Sequence, residues 1–165
     1  MKFIQTNLKK VHIIEYESFN DNRGTFCEIY NKEIFGKKLK NINFLTDSFS
    51  YSRKNVLRGL HGDFKTWKLI TCLEGLIYMI VVNNNKSQKD YKKWINLELS
   101  NKSKRSLFVP PGYGVGYFVK SKTALVHYKQ STIYEKKKQF SIKWNDKNYN
   151  FIWPKIKPIL SDRDK

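Results

Sequence analysis

Lys68-Leu69-Ile70-Thr71-Cys72-Leu73, followed by Glu74-Gly75 and then Leu76-Ile77-Tyr78-Met79-Ile80-Val81-Val82, is the most ordered-looking stretch of the chain. Both halves are too short for helices and rich in β-branched and large apolar residues, which marks strands; Glu74-Gly75 between them predicts a tight hairpin. Similar runs recur on both sides. The two central strands span Trp67–Glu74 and Leu76–Asn83, and Val11–Tyr16, Thr25–Tyr30, Asn43–Ser52, Tyr91–Leu99, Ser106–Val109, Gly116–Val119, Thr123–Lys129 and Ser141–Trp144 also read as strands. Gly, Pro, Asn or Ser separates most of them, and only Lys32–Leu39 offers a short helix. Many short strands at regular spacing predict an all-β sandwich or barrel. The stretch from Trp153-Pro154 to Pro158 interrupts regular structure and predicts an ordered surface tail.

The 165 residues suit a single domain, 1–165, with no internal repeat or linker. A chain of this length buries roughly 70% of its unfolded surface. The aromatic fraction of 15% excludes a disordered polycation, although the formal net charge is +18. Of the 32 basic residues, 27 are Lys and only 5 are Arg, and the lysines are spread along the chain apart from Lys136-Lys137-Lys138. Nucleic-acid readers rely on Arg forks, so the charge reads as solvated surface, with no nucleic-acid partner. The N-terminal MKFIQTNLKK has no apolar core of a leader, and the longest apolar run, Leu76–Val82, is far short of the ~20 residues of a membrane-spanning helix. Cys27 and Cys72, without CxxC spacing, fit a reducing compartment. These features predict a cytoplasmic protein with no membrane partner.

Three histidines, His12, His61 and His127, form no HxH or HxxxH pair, so no paired-His metal site is expected. No GxGxxG, GxxxxGK[ST] or GxSxG occurs, which removes dinucleotide, P-loop and serine-hydrolase readings. His61 lies in Leu57-Arg58-Gly59-Leu60-His61-Gly62-Asp63, between two expected strands, and its glycine neighbours would let a ligand or another backbone approach closely. His12 and His127 alternate with apolar residues and read as ordinary strand positions.

Further motifs occur in a definite order. Asp21-Asn22-Arg23-Gly24-Thr25-Phe26-Cys27-Glu28 has the form D-x-R-G-x-F-x-E; Leu57 to His61 follows, then Lys68-Leu69, Val109-Pro110-Pro111-Gly112-Tyr113, Tyr128-Lys129, Trp144-Asn145-Asp146, Trp153-Pro154, and Pro158 to Asp164. From about residue 11 to the end, the set resembles the dTDP-4-dehydrorhamnose 3,5-epimerase family of nucleotide-sugar epimerases. The stretch His61-Gly62-Asp63-Phe64-Lys65-Thr66-Trp67-Lys68-Leu69-Ile70-Thr71-Cys72 looks like the branch acting on GDP-4-keto-6-deoxy-heptose in capsule synthesis. Thr46-Asp47-Ser48 stands where the rhamnose branch carries Gln-x-Asn, and it favours the same branch.

The resemblance implies a cupin double-stranded β-helix (jelly roll), a homodimer built by exchanging N-terminal strands, no cofactor and no metal. It implies a substrate in the barrel mouth whose C3 and C5 protons are acidic because the C4 carbonyl accepts charge as an enolate. By carry-over, His61 is the general base and Asp164 the carboxylate that orients it, with Asp162 as the alternative. Lys68 is the cation beside the enolate oxygen and Tyr128 the acid on the opposite face. Arg23, Phe26 and Glu28 reach the nucleotide or sugar, often from the neighbouring subunit; Arg58 lies beside the sugar and pyrophosphate, and Tyr134 stacks on the base. Val115 stands where the family often has a second histidine, which leaves open whether C3, C5 or both are inverted. The favoured expectation is a GDP-4-keto-6-deoxy-heptose epimerase. The alternatives are a dTDP-4-keto-6-deoxy-hexose 3,5-epimerase, a C3-only epimerase, and a non-enzymatic binder of acidic polymers.

Overall fold

The computed structural model describes residues 1–39 and 42–165. Thirteen strands run in chain order as β1 (Lys2–Gln5), β2 (His12–Glu15), β3 (Ser18–Asp21), β4 (Gly24–Cys27), β5 (Thr46–Arg53), β6 (Leu57–Gly62), β7 (Lys68–Glu74), β8 (Leu76–Asn83), β9 (Trp94–Ser100), β10 (Arg105–Val109), β11 (Tyr113–Val119), β12 (Thr123–Gln130) and β13 (Phe140–Ser141). One α-helix, α1 (Lys32–Leu39), lies between β4 and β5, and a 3-10 turn covers Lys136–Lys138. Asn31 starts α1 by accepting the backbone N–H groups of Glu33 and Ile34 at 3.1 Å each, as an N-cap side chain does. No helix among the described residues is long and apolar enough to cross a membrane.

Two antiparallel sheets face each other. One has the order β1-β2-β10-β7-β12-β5, the other β13-β6-β11-β8-β9, and β3-β4 stands apart as a two-stranded ribbon. Between the sheets lies the main core, with Val11, Ile70, Cys72, Ile77, Met79, Val81, Leu107 and Val126 almost fully buried. Each outer face has a cover. Phe35 of α1 packs with Ile14, Leu69 and Phe108 on the larger sheet, and the aromatic C-terminal segment packs on Leu60, Ile80 and Val82 of the smaller one. A strand covered on both faces reads as a continuous apolar run rather than an alternating one, which explains the composition of β7 and β8.

The expected hairpin does not form. β7 and β8 belong to opposite sheets: β7 pairs with β10 and β12, and β8 with β11 and β9, so both edges of each strand are already occupied. Gly75 carries the chain across the core at φ +84°, and a Cβ there would lie 2.2 Å from the Thr123 carbonyl oxygen. The tightness signalled by Glu74-Gly75 is therefore a corner between sheets. Two more expectations shift. Residues 57–62 are a strand, so His61 sits on β6 rather than between strands. The strand expected over Ser141–Trp144 is only Phe140–Ser141, because the following residues turn to cover the sheet.

The tail is ordered, as expected from the stretch between Trp153-Pro154 and Pro158. Trp94 Nε1 donates to the Tyr149 carbonyl at 2.8 Å, Trp153 Nε1 to that of Trp144 at 2.7 Å, and Tyr78 Oη to that of Ile152 at 2.7 Å. Ile159 then bridges Val56, and its backbone exchanges hydrogen bonds with Asn55 and Leu57. That contact returns the chain to the head of β6 and sets the direction of residues 160–164.

Candidate active site

The inward faces of the strands change character toward one end of the sandwich. On β12 the inward series runs Ala124, Val126, Tyr128, Gln130; on β7 it runs Cys72, Ile70, Lys68; on β5 it is Ser52, Ser50, Ser48. Period-two alternation thus continues the core face into a polar cavity of about 340 Å³. His61 and Arg58 enter it from β6, Val115 and Tyr117 from β11, and Arg163 and Asp164 from the returning tail. A Cβ on Gly59 would lie 2.5 Å from the Val115 carbonyl oxygen, so this part of β6 can lie against β11 only with glycine there.

His61 and Asp164 meet, with Nε2 2.7 Å from Oδ1 and the carboxylate 5% exposed. The approach is short but off the line of a well-directed hydrogen bond, and Oδ1 has no other donor. Ser161 Oγ donates to Oδ2 at 2.9 Å, and the Asp164 backbone N–H donates to the Ser161 carbonyl at 3.0 Å, so the carboxylate is held by its own turn. Burial pushes the Asp164 carboxyl up, but His61 and Ser161 outweigh it and leave the group below its ordinary value. Asp162 points to solvent and pairs with Lys165 at 2.6 Å. Between the two carboxylates offered by the sequence, Asp164 is the one that faces His61.

Lys68 is 7% exposed, and among the described residues no carboxylate lies within ion-pair distance of its ammonium. Burial pulls its pKa down, Asp63 opposes that shift from a distance, and Arg163 adds to it. Tyr128 keeps part of its ring open to the cavity while its hydroxyl is densely surrounded. Burial, reinforced by Tyr117, raises the phenol well above its ordinary value, and Ser50 and Arg58 oppose the rise only in part. The phenol is therefore protonated at neutral pH. Tyr117, 2% exposed, bonds Ser50 Oγ at 2.7 Å, and Arg58 Nε donates to Ser52 Oγ at 3.0 Å. These bonds hold the Arg58 and Tyr128 side of the cavity in place.

The cavity thus brings together five expected residues: His61, Lys68, Tyr128, Asp164 and Arg58, with Tyr134 at its rim. Tyr134 accepts from Arg163 Nη1 at 3.1 Å. Arg23, Phe26 and Glu28 are elsewhere. Arg23 pairs with Asp21 on the β3-β4 ribbon at 2.6 Å, Phe26 is 69% exposed, and Glu28 accepts from Asn31 at 3.2 Å. Within one chain they do not touch the cavity. The sequence reading missed Ser50, Ser52, Tyr117, Ser141, Ser161 and Arg163. The alternating Ser48-x-Ser50-x-Ser52 pattern was the one available signal, a polar inward face on a strand. Among the described residues no three His, Cys, Asp or Glu side chains gather as a metal site would require.

Asp63, from the motif that suggested a heptose substrate, lies outside this cavity. Its carboxylate accepts the backbone N–H groups of Lys65 and Thr66 at 2.7 and 2.6 Å and the Gln139 side chain at 2.7 Å. It staples its own turn. Asp47 likewise faces the outer surface, bonded to His127 and Lys129 at 2.8 Å each.

The dTDP-4-dehydrorhamnose 3,5-epimerase family matches residues 5–165. The dTDP-4-dehydrorhamnose 3,5-epimerase of Shigella flexneri is 36% identical over 168 residues, covering 99% of this chain and 93% of that protein. The crystal structure of dTDP-4-dehydrorhamnose 3,5-epimerase from Elizabethkingia anophelis NUHP1 is 37% identical with a TM-score of 0.90, covering 99% of this chain and 93% of that one. The dTDP-6-deoxy-D-glucose-3,5-epimerase of Legionella pneumophila, solved with dTDP-4-keto-L-rhamnose, is 30% identical with a TM-score of 0.94, over 99% of this chain and 89% of that one. The all-β expectation and its cupin form hold. The relatives carry dTDP-sugar names, so the comparisons support the family without its GDP-heptose branch. By sequence and by fold, the chain is an isomerase that belongs to the dTDP-4-dehydrorhamnose 3,5-epimerase family.

Proposed function

We propose that this chain inverts C3 and C5 of a dTDP-linked 4-keto-6-deoxy-hexose. The observation that carries the reading is one cavity in which the His61–Asp164 pair, the buried Lys68 and the protonated Tyr128 converge. His61 takes the proton from carbon, and the electron pair moves onto the C4 oxygen as an enolate. Asp164 orients the imidazole and favours the cation that forms. Lys68 stabilises the enolate oxygen, an effect that is strong because little water competes for the charge. Tyr128 returns a proton from the opposite face, which a phenol with a raised pKa can do only as the acid. Arg58 and Arg163 offer guanidinium forks to the pyrophosphate.

The dTDP preference rests on the relatives' names and on the bound nucleotides of the solved structures, such as the Bacillus anthracis enzyme with TDP and pyrophosphate. A GDP-heptose remains the second reading because of the His61–Cys72 motif, although Asp63 spends its hydrogen bonds on its own turn. The capsule context expected with it has that motif as its sole support. A homodimer is part of the proposal: the β3-β4 ribbon with Arg23, Phe26 and Glu28 would complete the nucleotide site of a second copy.

The test is incubation with a dTDP-4-keto-hexose and a GDP-4-keto-heptose, side by side in deuterated water, followed by product NMR. Deuterium at C3 and C5 of the dTDP sugar is expected, and none at either carbon of either sugar would overturn the epimerase reading. His61→Asn should abolish incorporation at both carbons. Tyr128→Phe should spare C3 exchange and impair formation of the C5-inverted product.

A further inference from the structure

We infer that Ser52 is a positioning residue for the nucleotide diphosphate: it holds Arg58 by Nε, so that Nη1 and Nη2 form the edge presented to phosphate oxygens. The inference rests on the epimerase reading of the cavity, which gives Arg58 that ligand. Arg58 lies on β6 of the smaller sheet, and Ser52 lies on β5 at the edge of the larger one. Arg58 Nε donates to Ser52 Oγ at 3.0 Å, so the bond spans the gap between the sheets. Arg58 lines the cavity and is exposed there. Ser52 is 4% exposed and lies behind it, on the core side of Ser50. A substrate therefore meets the arginine and not the serine.

The pair can be arranged in one way only. A guanidinium donates and never accepts, so Ser52 Oγ is the acceptor. The serine is itself set in a buried surround: Ala124 stands directly opposite it on β12, and the Tyr117 oxygen is 3.5 Å away. Tyr117, 2% exposed, is anchored in turn by Ser50 at 2.7 Å. Neither neighbour carries a charge that would draw Ser52 away from Arg58 at neutral pH. Among the described residues no carboxylate pairs with Arg58, so its charge is left for an anionic ligand.

An arginine can grip a phosphate with two parallel bonds along either of two edges, Nε with one Nη, or Nη1 with Nη2. Ser52 occupies Nε, and the edge left whole is Nη1 with Nη2. A side chain held near its head group also has less freedom to lose when it binds. Ser52 thus sets both the direction of the fork and part of its affinity before the ligand arrives.

Ser52→Ala removes the acceptor and leaves Arg58 its charge, whereas Arg58→Met removes the fork. Two readouts apply. The first is 1H–15N NMR of the arginine Nε–H groups in the protein alone, with Arg58 assigned by its disappearance in Arg58→Met. The second is the Kd for dTDP, with GDP as the alternative nucleotide, by titration calorimetry of wild type, both single variants and the double variant. In Ser52→Ala the Arg58 Nε–H resonance should move and exchange faster with water. The nucleotide should bind about three- to tenfold more weakly, as the ordering of one freed side chain on binding predicts. The double variant should bind within about twofold of Arg58→Met, because the serine acts only through the arginine. An unmoved Nε–H resonance in Ser52→Ala overturns the contact. An unchanged Kd, or a further loss of the same size in the double variant, overturns the role. If wild-type protein binds neither nucleotide, the nucleotide-sugar reading falls and takes the role with it, while the resonance still judges the contact. Nucleotide binding without deuterium exchange into either sugar would end the epimerase reading and leave the role of Ser52 standing.

Discussion

The cavity and the β3-β4 ribbon carry the two halves of the expected site, and they are built in opposite ways. The cavity residues come from β5, β6, β7, β11, β12 and the tail, and Tyr117, Arg58 and Asp164 are each held there by a serine. The ribbon joins neither main sheet, and Phe19 and Phe26 on it are 64% and 69% exposed. Chemistry that moves protons needs groups fixed before the substrate arrives, and the cavity provides that within one chain. Exposed aromatics on a free ribbon suit a surface completed by something else. Under the proposed function, the difference separates residues that set the rate from residues that set affinity.

The glycines of the two regions give the sharpest way to break this comparison. Gly59→Ala forces a Cβ into the Val115 backbone at φ +103°, whereas Gly24 at φ +128° has nothing within 4 Å of a Cβ. Gly59→Ala should cost more than about 4 kcal/mol and yield little folded protein, while Gly24→Ala should cost about 1–3 kcal/mol from backbone strain alone. Urea titration of both variants checks this, and similar losses would mean that the ribbon is as tightly built as the cavity. Lys68→Met comes next. It should lower kcat by about a thousandfold yet raise stability by about 1–2 kcal/mol, because it removes a buried charge that, among the described residues, has no carboxylate within ion-pair distance and only Asp63 acting from afar. Thermal melts and turnover together test the pair of effects; a destabilised variant would show that the ammonium has a structural partner.

Phe26→Ala on the ribbon should raise KM about tenfold with kcat preserved and stability changed by less than about 0.5 kcal/mol. An unchanged KM would remove the ribbon from the substrate site. The smallest effect is in pH. The Asp164 carboxyl is held below its ordinary value of 3.8, so its contribution to stability is present above that value and is lost as the pH falls through the lower, folded-state value. Asp164→Asn should flatten the acid side of a stability-against-pH curve, whereas Asp21→Asn on the exposed ribbon should leave it nearly as it was.

Strand content was legible because apolar runs of four to eight residues are a local signal, and most of the expected strands exist. What was not legible was the partner of each strand. Leu69 and Ile80 look alike in sequence, yet one packs under α1 and the other under the C-terminal aromatics. β6 escaped notice because Gly59 and Gly62 depress strand propensity, and both are there for close approach to β11 and Phe140. In the site, His61, Lys68, Tyr128 and Asp164 were readable through ordered motifs. Ser141 and Ser161 were not, since a serine's role depends on what lies opposite it, and Ser141 meets a histidine 80 residues away. The +18 charge shows the same limit from the other side: among the lysines of the described residues, only Lys68 lines the cavity.

The corner at Gly75 also bears on how quickly the chain can reach this state. Because β7 and β8 never pair, the most apolar segment of the sequence cannot lower its energy by zipping up with its neighbour. β7 must wait for β10 and β12, where Thr71 meets Ser106 and Cys72 meets Val126. Loop-closure entropy is lost before those contacts form, so folding should fall in the millisecond-to-second range of non-local β topologies. During that interval two adjacent, strongly apolar strands stand with open edges, and the surrounding lysines keep such chains apart in the meantime.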